Sequence, residues 1–290
     1  PIAFGNNDRP GVMLAGSVRA YLNRWGVTPG RRVAIFTNND DGWRTAQDLA
    51  AKNIDIPAII DIRDQPALSQ SSRTKVFMGA QIVDVSGRKG VTALTLARGQ
   101  TIEADCIAVA GGWNPNVHLT CHLGGRPHWQ SDICAFVPGR EAPAGMAVAG
   151  AANGALTLGA TLQQGTEAGY TAAKDTGHKM ASRETPKADD EPSNTTAFWY
   201  VGESTRRAWI DLQNDVTVKD LELAYLEGFR SVEHLKRYTT LGMATDQGKT
   251  ANMGGLAIMA NLTGKSIPET GVTIYRPPYT PVPIGAFGGR

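Results

Sequence analysis

Three groups of residues have types and spacings that could support chemistry. The first is a crowd of His118, Cys121, His122, His128 and Cys134. His118 and His122 are four apart, which on a helix would turn two imidazoles toward one tetrahedral metal. Asn114-Pro115 and Gly124-Gly125 break up a helix there, and structural zinc sites show tighter cysteine pairs, so the expectation is a polar loop without metal. The second group follows the apolar run RRVAIF (31–36). A dinucleotide fingerprint G-x-G-x-x-G would fall there on Thr37, Asn39 and Gly42, and only the last is glycine. Asp40 and Asp41 put negative charge where phosphate would lie, and Asp61 closes the next strand where a ribose-binding acid belongs. The third group is small residues. CIAVAGG ends in Gly111 and Gly112, and Gly150 to Gly154 forms a short loop between an apolar run and a long helical pattern. Loop amides and the helix N-terminus that follows make an edge that suits an anion. No nucleophile–base pair or carboxylate dyad stands out, so no catalytic residue is nominated.

The elements that would carry these groups follow from periodicity. Val18, Tyr21, Leu22 and Trp25 make an i, i+3, i+4, i+7 stripe ended by Gly26. RRVAIF, a helix over 42–53 and IPAIIDI (56–62) read as a β-α-β unit of the dinucleotide-binding kind. With its first two glycines missing, this unit is expected to keep the Rossmann architecture and bind no nucleotide. Residues 74–110 alternate and turn, a β-meander that returns to a buried strand. A strand at about 146–149 precedes the Gly150 loop, and in the helix beyond it Gly165 and Gly169 form a face without side chains, suited to close packing on a sheet. Residues 181–197 are polar, with two prolines and no periodicity, and read as a linker.

In the last third, Thr217 and Asp220 fit a capping-box start, with Leu221, Ala224 and Tyr225 at helical spacing and Gly228 as the stop. Ser231 caps a second helix with Leu235, Tyr238 and Leu241 on one face, and a third runs from 252 to 263 up to Gly264. The end, IYRPPYTPVPIGAFGGR, is extended and proline-rich. A paired-helix DNA reader is disfavoured by Glu233 in the second helix and a net charge of only +2. That charge argues equally against anionic membranes, and no apolar run reaches the roughly 20 residues of a membrane span. Hydrophobic content of 41% and charge of 19% describe a soluble globular chain, and three cysteines point away from a disulfide framework and toward a reducing cytoplasm. The chain opens at Pro1 in mid-pattern, which reads as a piece of a longer polypeptide.

The stretch from Trp209 to Gly254 resembles the small helical 2Fe–2S domain of the bacterioferritin-associated-ferredoxin (BFD) type. In that family a C-x-C pair precedes the first helix and C-Q-G-x-x-C follows the second. The matching positions here are Asp211, Gln213, Asp246 and Ala251, with Gln247 and Gly248 retained. Such clusters need cysteine thiolates, so the resemblance implies the fold and the residues exclude the iron–sulfur cluster. CIAVAGGWNPN resembles the signature of two-dinucleotide-domain flavoprotein reductases, and the Gly150 loop matches their glycine–aspartate motif with Ala151 in the aspartate position. A complete reductase of that class would show an intact glycine loop and a redox cysteine pair, which this sequence lacks.

Taken along the chain, GNNDRPGVML, VAIFTNNDDG, GGWNPNVHL, HLKRYTTLGMATDQGKT and RPPYTPV are similar to the alpha-subunit family of heterotetrameric bacterial sarcosine oxidases. The resemblance implies an α/β, Rossmann-like FAD/NAD(P)-binding fold plus a small all-α module without iron–sulfur ligands. Residues 1–30 and 105–180 would be part of the main dinucleotide-binding domain and 31–104 an inserted second one. A linker over 181–200, the helical module over 201–265 and a connection at 266–290 to an aminomethyltransferase-like, folate-binding domain would follow. It further implies NAD held by Ala151, Leu156 and Leu158, or Thr157 with the register shifted by one, beside Gly150, Gly111 and Gly112. In the complete enzyme it implies FAD and FMN, partner beta, gamma and delta subunits, and oxidative demethylation of sarcosine to glycine, hydrogen peroxide and a one-carbon unit passed to tetrahydrofolate. The isolated chain is expected to be inactive. The competing expectations are a scaffold module without cofactor and a subunit of a related amine or opine dehydrogenase.

Overall fold

The computed structural model describes residues 1–66, 74–139, 142–179, 184–189, 191, 193–277 and 280–288. Parts of the expected linker (181–183, 190 and 192) and of the proline-rich end (278–279 and 289–290) lie outside the described residues. The chain divides into two compact units, one made of Pro1–Gly112, Thr195–Thr273 and Thr280–Arg290, the other of Trp113–Asn194 and Ile274–Tyr279.

The first unit is built on a five-stranded, all-parallel sheet. Its elements are β1 (Val12–Leu14), α1 (Ala15–Trp25), β2 (Val33–Thr37), α2 (Asp40–Ala51), β3 (Ala58–Asp61), β4 (Lys75–Met78), the strands β5 (Ile82–Ser86), β6 (Ala93–Leu96) and β7 (Thr101–Glu103), and β8 (Cys106–Ala110). The sheet order is β1-β8-β2-β3-β4, and β5-β6-β7 form a separate antiparallel meander. Strands covered on both faces must be apolar at every position, which is why VAIF and CIAVA carry unbroken apolar runs. Side chains still alternate. Val33, Ile35, Ile59, Cys106 and Ala108 meet Val18 and Leu22 of α1 and Trp43, Ala46 and Leu49 of α2. Ala34, Phe36, Ile60, Ile107 and Val109 meet Ile82, Val85, Leu94 and Leu96 of the meander.

One sequence expectation changes here. Only Val18 and Leu22 of the α1 stripe are buried, while Tyr21 and Trp25 are 45% and 58% exposed. β8 returns between β1 and β2 and pairs in parallel with both, so strands from before residue 31 and after residue 104 share one sheet with β2, β3 and β4.

The second unit holds a one-turn helix α3 (His118–Cys121), a hairpin of β9 (His128–Gln130) with β10 (Ala135–Val137), a 3-10 turn over Gly150–Asn153 and the long helix α4 (Leu158–Asp175). The strand expected at 146–149 is not formed. Ala149 is extended at φ −141° and ψ 161°, but a strand needs a hydrogen-bonded neighbour and none is present among the described residues. α3 appears where proline and glycines were expected to forbid a helix; a single turn fits between the two breakers. No residue of α4 is buried, and where Gly165 or Gly169 would carry a Cβ there is open space, so the expected packing of that face is not seen among the described residues.

The chain then returns to the first unit with β11 (Trp209–Asp211), β12 (Val216–Thr217), α5 (Val218–Leu226), α6 (Val232–Thr239), α7 (Asn252–Thr263) and a one-turn α8 (Ile267–Thr270). The Asp220 carboxylate accepts from the Thr217 amide at 2.8 Å and hydroxyl at 2.6 Å, and Ser231 accepts from the His234 amide at 3.3 Å. These contacts start α5 and α6 where the capping residues predicted. Leu221, Ala224, Leu235, Leu241, Ala251 and Met259 share one buried core. Residues 3–7 tie this part to the rest of its unit. Ala3 donates to the Trp199 carbonyl at 2.8 Å and accepts from Val201 at 2.9 Å, and the Asn7 side chain bonds both the amide and the carbonyl of Trp209 at 2.7 and 2.9 Å.

Candidate functional site

The carboxyl ends of β2 and β8 are the place where an open parallel sheet binds ligands, because strand order reverses between them. The chain runs outward from β2 through β3 to β4, then comes back to lay β8 on the other side of β2. Here the turn after β2 is made by side chains in place of glycine. The Thr37 hydroxyl donates to the Asn39 carbonyl at 2.8 Å, and the Asn39 side chain accepts from Asp41 N at 2.9 Å and so caps α2. Gly42 keeps its place for steric reasons: a Cβ there would run into the Thr37 side chain, the close helix–strand approach that the third fingerprint glycine serves.

The acids of this turn are engaged with cations. Asp41 pairs with Arg19 at 2.8 Å. Asp40 and Asp61, both fully buried, grip one guanidinium, that of Arg63, at 2.8 Å each. The Trp43 indole donates to the same Asp61 carboxylate at 2.7 Å. Burial alone would lower the Arg63 pKa; the Asp61 and Asp40 carboxylates outweigh it and raise the value above that of an ordinary arginine. Asp61, placed by sequence where a ribose would be met, thus faces an internal ion pair. Arg63 is the residue that sequence reasoning missed; a cation two residues past a buried strand-end acid was the available signal.

Gly111 and Gly112 lie just beyond β8. A Cβ on Gly111 would stand 2.8 Å from the Pro1 carbonyl carbon, and one on Gly112 3.1 Å from the Thr195 methyl, so the close neighbour in both cases is the chain itself. The Gly150 to Leu158 segment belongs to the other unit. Gly150 takes φ +68°, and its amide donates to the Gln164 side chain at 3.0 Å. Thr157 caps α4 by accepting from Ala160 N at 3.3 Å. Ala151 is exposed, Leu156 and Thr157 are half-buried, and Leu158 is 62% exposed at the helix start. No charged residue occurs between 150 and 158, so nothing in this segment repels an anion.

The four positions matched to cluster ligands also come into view. Asp211, 2% exposed, accepts from Gln213 N at 2.9 Å, Asn214 N at 3.2 Å and, across the module, Gly242 N at 2.8 Å. Asp246 accepts from Gly248 N at 2.9 Å and from the amide and hydroxyl of Thr250 at 3.2 and 2.6 Å. Gln213 accepts from the Thr245 hydroxyl at 2.8 Å, and Ala251 is buried in the module core. Carboxylates and an amide therefore hold the loops by hydrogen bonds. The His118 ring lies tilted at 44° against Tyr275 with ring centroids 4.1 Å apart, and among the described residues no three His, Cys, Asp or Glu side chains are placed to hold a metal. No helix of the described residues is long and apolar enough to cross a membrane.

Comparison with known proteins bears on this geometry. A family model of the sarcosine oxidase A3 domain matches residues 205–290, which takes the helical module and the proline-rich end together. The sarcosine oxidase alpha subunit of Rhizobium meliloti (strain 1021) is 41% identical over 295 residues, covering 100% of this chain and 30% of that protein. Its counterpart from Corynebacterium sp. (strain U-96) is 38% identical over 314 residues, covering 100% and 32%. The chain thus spans under a third of the length of these relatives. Among solved structures, the L-proline dehydrogenase of P. horikoshii superposes with a TM-score of 0.77 at 21% identity, covering 100% of this chain and 56% of that one, a likeness of fold.

Proposed function

We infer, from a kinship with sarcosine oxidase alpha subunits that runs the whole length of the chain, that this polypeptide works as a segment of such a subunit in an amine-oxidising oxidoreductase. The observation that carries the reading is that alignment, 41% identical across 100% of the chain. In the complete assembly the reaction would be the oxidative demethylation of sarcosine to glycine and hydrogen peroxide, with the one-carbon unit passed to tetrahydrofolate. Flavins and partner beta, gamma and delta subunits would supply what this segment lacks. The chain's own part would be to bind NAD and to make subunit contacts. The helical module would be a BFD-like fold that has exchanged its four metal ligands for two carboxylates, an amide and a buried methyl group.

The residues nominated for NAD within the second unit are Gly150, Ala151, Leu156, Thr157 and Leu158. They fit the group in character: a positive helix end, a glycine that frees the backbone, and no competing acid. When bound, a nicotinamide supplies a hydride acceptor. The chain's residues orient and hold the dinucleotide, with the start of α4 facing its phosphates. The test is to denature the purified chain and analyse the released small molecules by mass, then to repeat with Leu158→Asp. NAD recovered from the parent chain and lost from the variant supports the assignment. Equal recovery from both, or none from the parent, removes it.

A further inference from the structure

We propose that the ligand crevice of the parallel sheet is closed by the chain itself: residues Thr195–Phe198 lie as a strap across the carboxyl ends of β2 and β8, and the Asp40–Arg63–Asp61 cluster fills the end of β3. The strap is bonded where a pyrophosphate would rest. Thr196 N donates to the Asn38 carbonyl at 2.9 Å, and Asn39 bridges to Thr195. The Asn38 side-chain amide donates to the carbonyls of Thr196 at 2.7 Å and Phe198 at 3.3 Å. Asn38 is 1% exposed and Asn39 3%, so this is an interior contact.

The gap between the two strand ends is shut as well. Asn38 N and the Asn39 side chain both donate to the Ala110 carbonyl, at 3.2 and 3.0 Å. Phe198 packs against the core that lies under the meander face of the sheet. Beyond it the strap continues through the Ala3 ladder toward β11. In a nucleotide-binding sheet the turn amides and the strand-end acid meet phosphate and ribose. In this chain the turn meets its own backbone and the acid meets Arg63. The crevice has become a joint that fastens the helical module to the sheet.

Hydrogen–deuterium exchange on the full 290-residue chain reads this directly. Asn38→Ala removes the amide that holds two strap carbonyls. Exchange across 195–201 should then rise roughly tenfold, as expected for lost side-chain hydrogen bonds, while β2 and β8 stay protected. Unchanged exchange at 195–201 in a folded variant overturns the strap. The unaltered chain with millimolar NAD gives a second reading that needs no substitution. No change at 37–42 and 195–198 supports closure. Slower exchange at 37–42 together with faster exchange at 195–198 overturns it, because nucleotide has then displaced the strap. Protection confined to 150–158 supports both closure and the NAD site proposed above. Protection at neither place supports closure and removes that NAD site.

Discussion

Arg63 is the clearest case of one side chain deciding what its neighbours can do. Two carboxylates with no exposure share its charge, so removing the cation leaves both buried without it. Arg63→Met should lower the unfolding free energy by about 3–5 kcal/mol, read by urea denaturation. Asp61 was visible in the sequence as a strand-end acid; its partner was not, because contacts across a fold leave no periodic mark. Asp211 makes a similar point. It aligned with a ligand position, but that its carboxylate would accept three amides, one of them 31 residues away, could come only from coordinates. Asp211→Ala strands those donors and should cost about 2–3 kcal/mol, with Asp211→Asn costing less. Cys106 carries a pH signature. Burial, with the Asp105 carboxylate adding to it, pushes the thiol up to about 12. In the unfolded chain a thiol ionises near 8.5. Between those values the folded state holds a proton that the unfolded state has lost, so stability is complete below the lower value and falls as pH rises, by about 1.4 kcal/mol per pH unit. Cys106→Ala should flatten that decline in urea melts recorded from pH 9 upward.

Secondary elements were legible wherever the pattern was local. The sequence places a helix over 252–263, and α7 occupies Asn252–Thr263. The caps at Thr217 and Ser231 are set by residues three apart, and both form. The strand expected at 146–149 failed for the opposite reason, since an apolar run makes a strand only beside another strand. α8 was overlooked; Ser266 and Glu269 form a capping box that the sequence contained. Two predictions belong at this scale. Leu235, fully buried among α5, α6 and α7, should cost about 2–5 kcal/mol on change to alanine, seen as a lower denaturation midpoint. The proposed BFD-like origin of the module has a sharper test. Changing Asp211, Gln213, Asp246 and Ala251 together to cysteine and reconstituting with iron and sulfide should give the visible charge-transfer bands of a 2Fe–2S centre. A colourless product that remains helical would count against that origin.

For the molecule as a whole, the chain aligns end to end with under a third of the length of the sarcosine oxidase alpha subunits it resembles. The sequence exposed the α/β architecture with its parallel strands through its apolar runs. It did not disclose that β8 returns between β1 and β2 in one sheet, because strand order depends on which neighbour a returning chain finds. Sarcosine added to the purified chain should release no peroxide, and sustained release would overturn the reading of the chain as a partial subunit.

α4 behaves differently from the rest of the chain. Its eighteen residues include Gly159, Gly165 and Gly169, each costing about 1 kcal/mol relative to alanine in a helix interior. None of its residues is fully buried, so packing adds little to its own backbone ladder in opposing fraying. A circular-dichroism melt of the chain should therefore show a sloping loss of helical ellipticity well ahead of the main heat-absorption peak in a calorimetric scan, and the two signals should not share one midpoint.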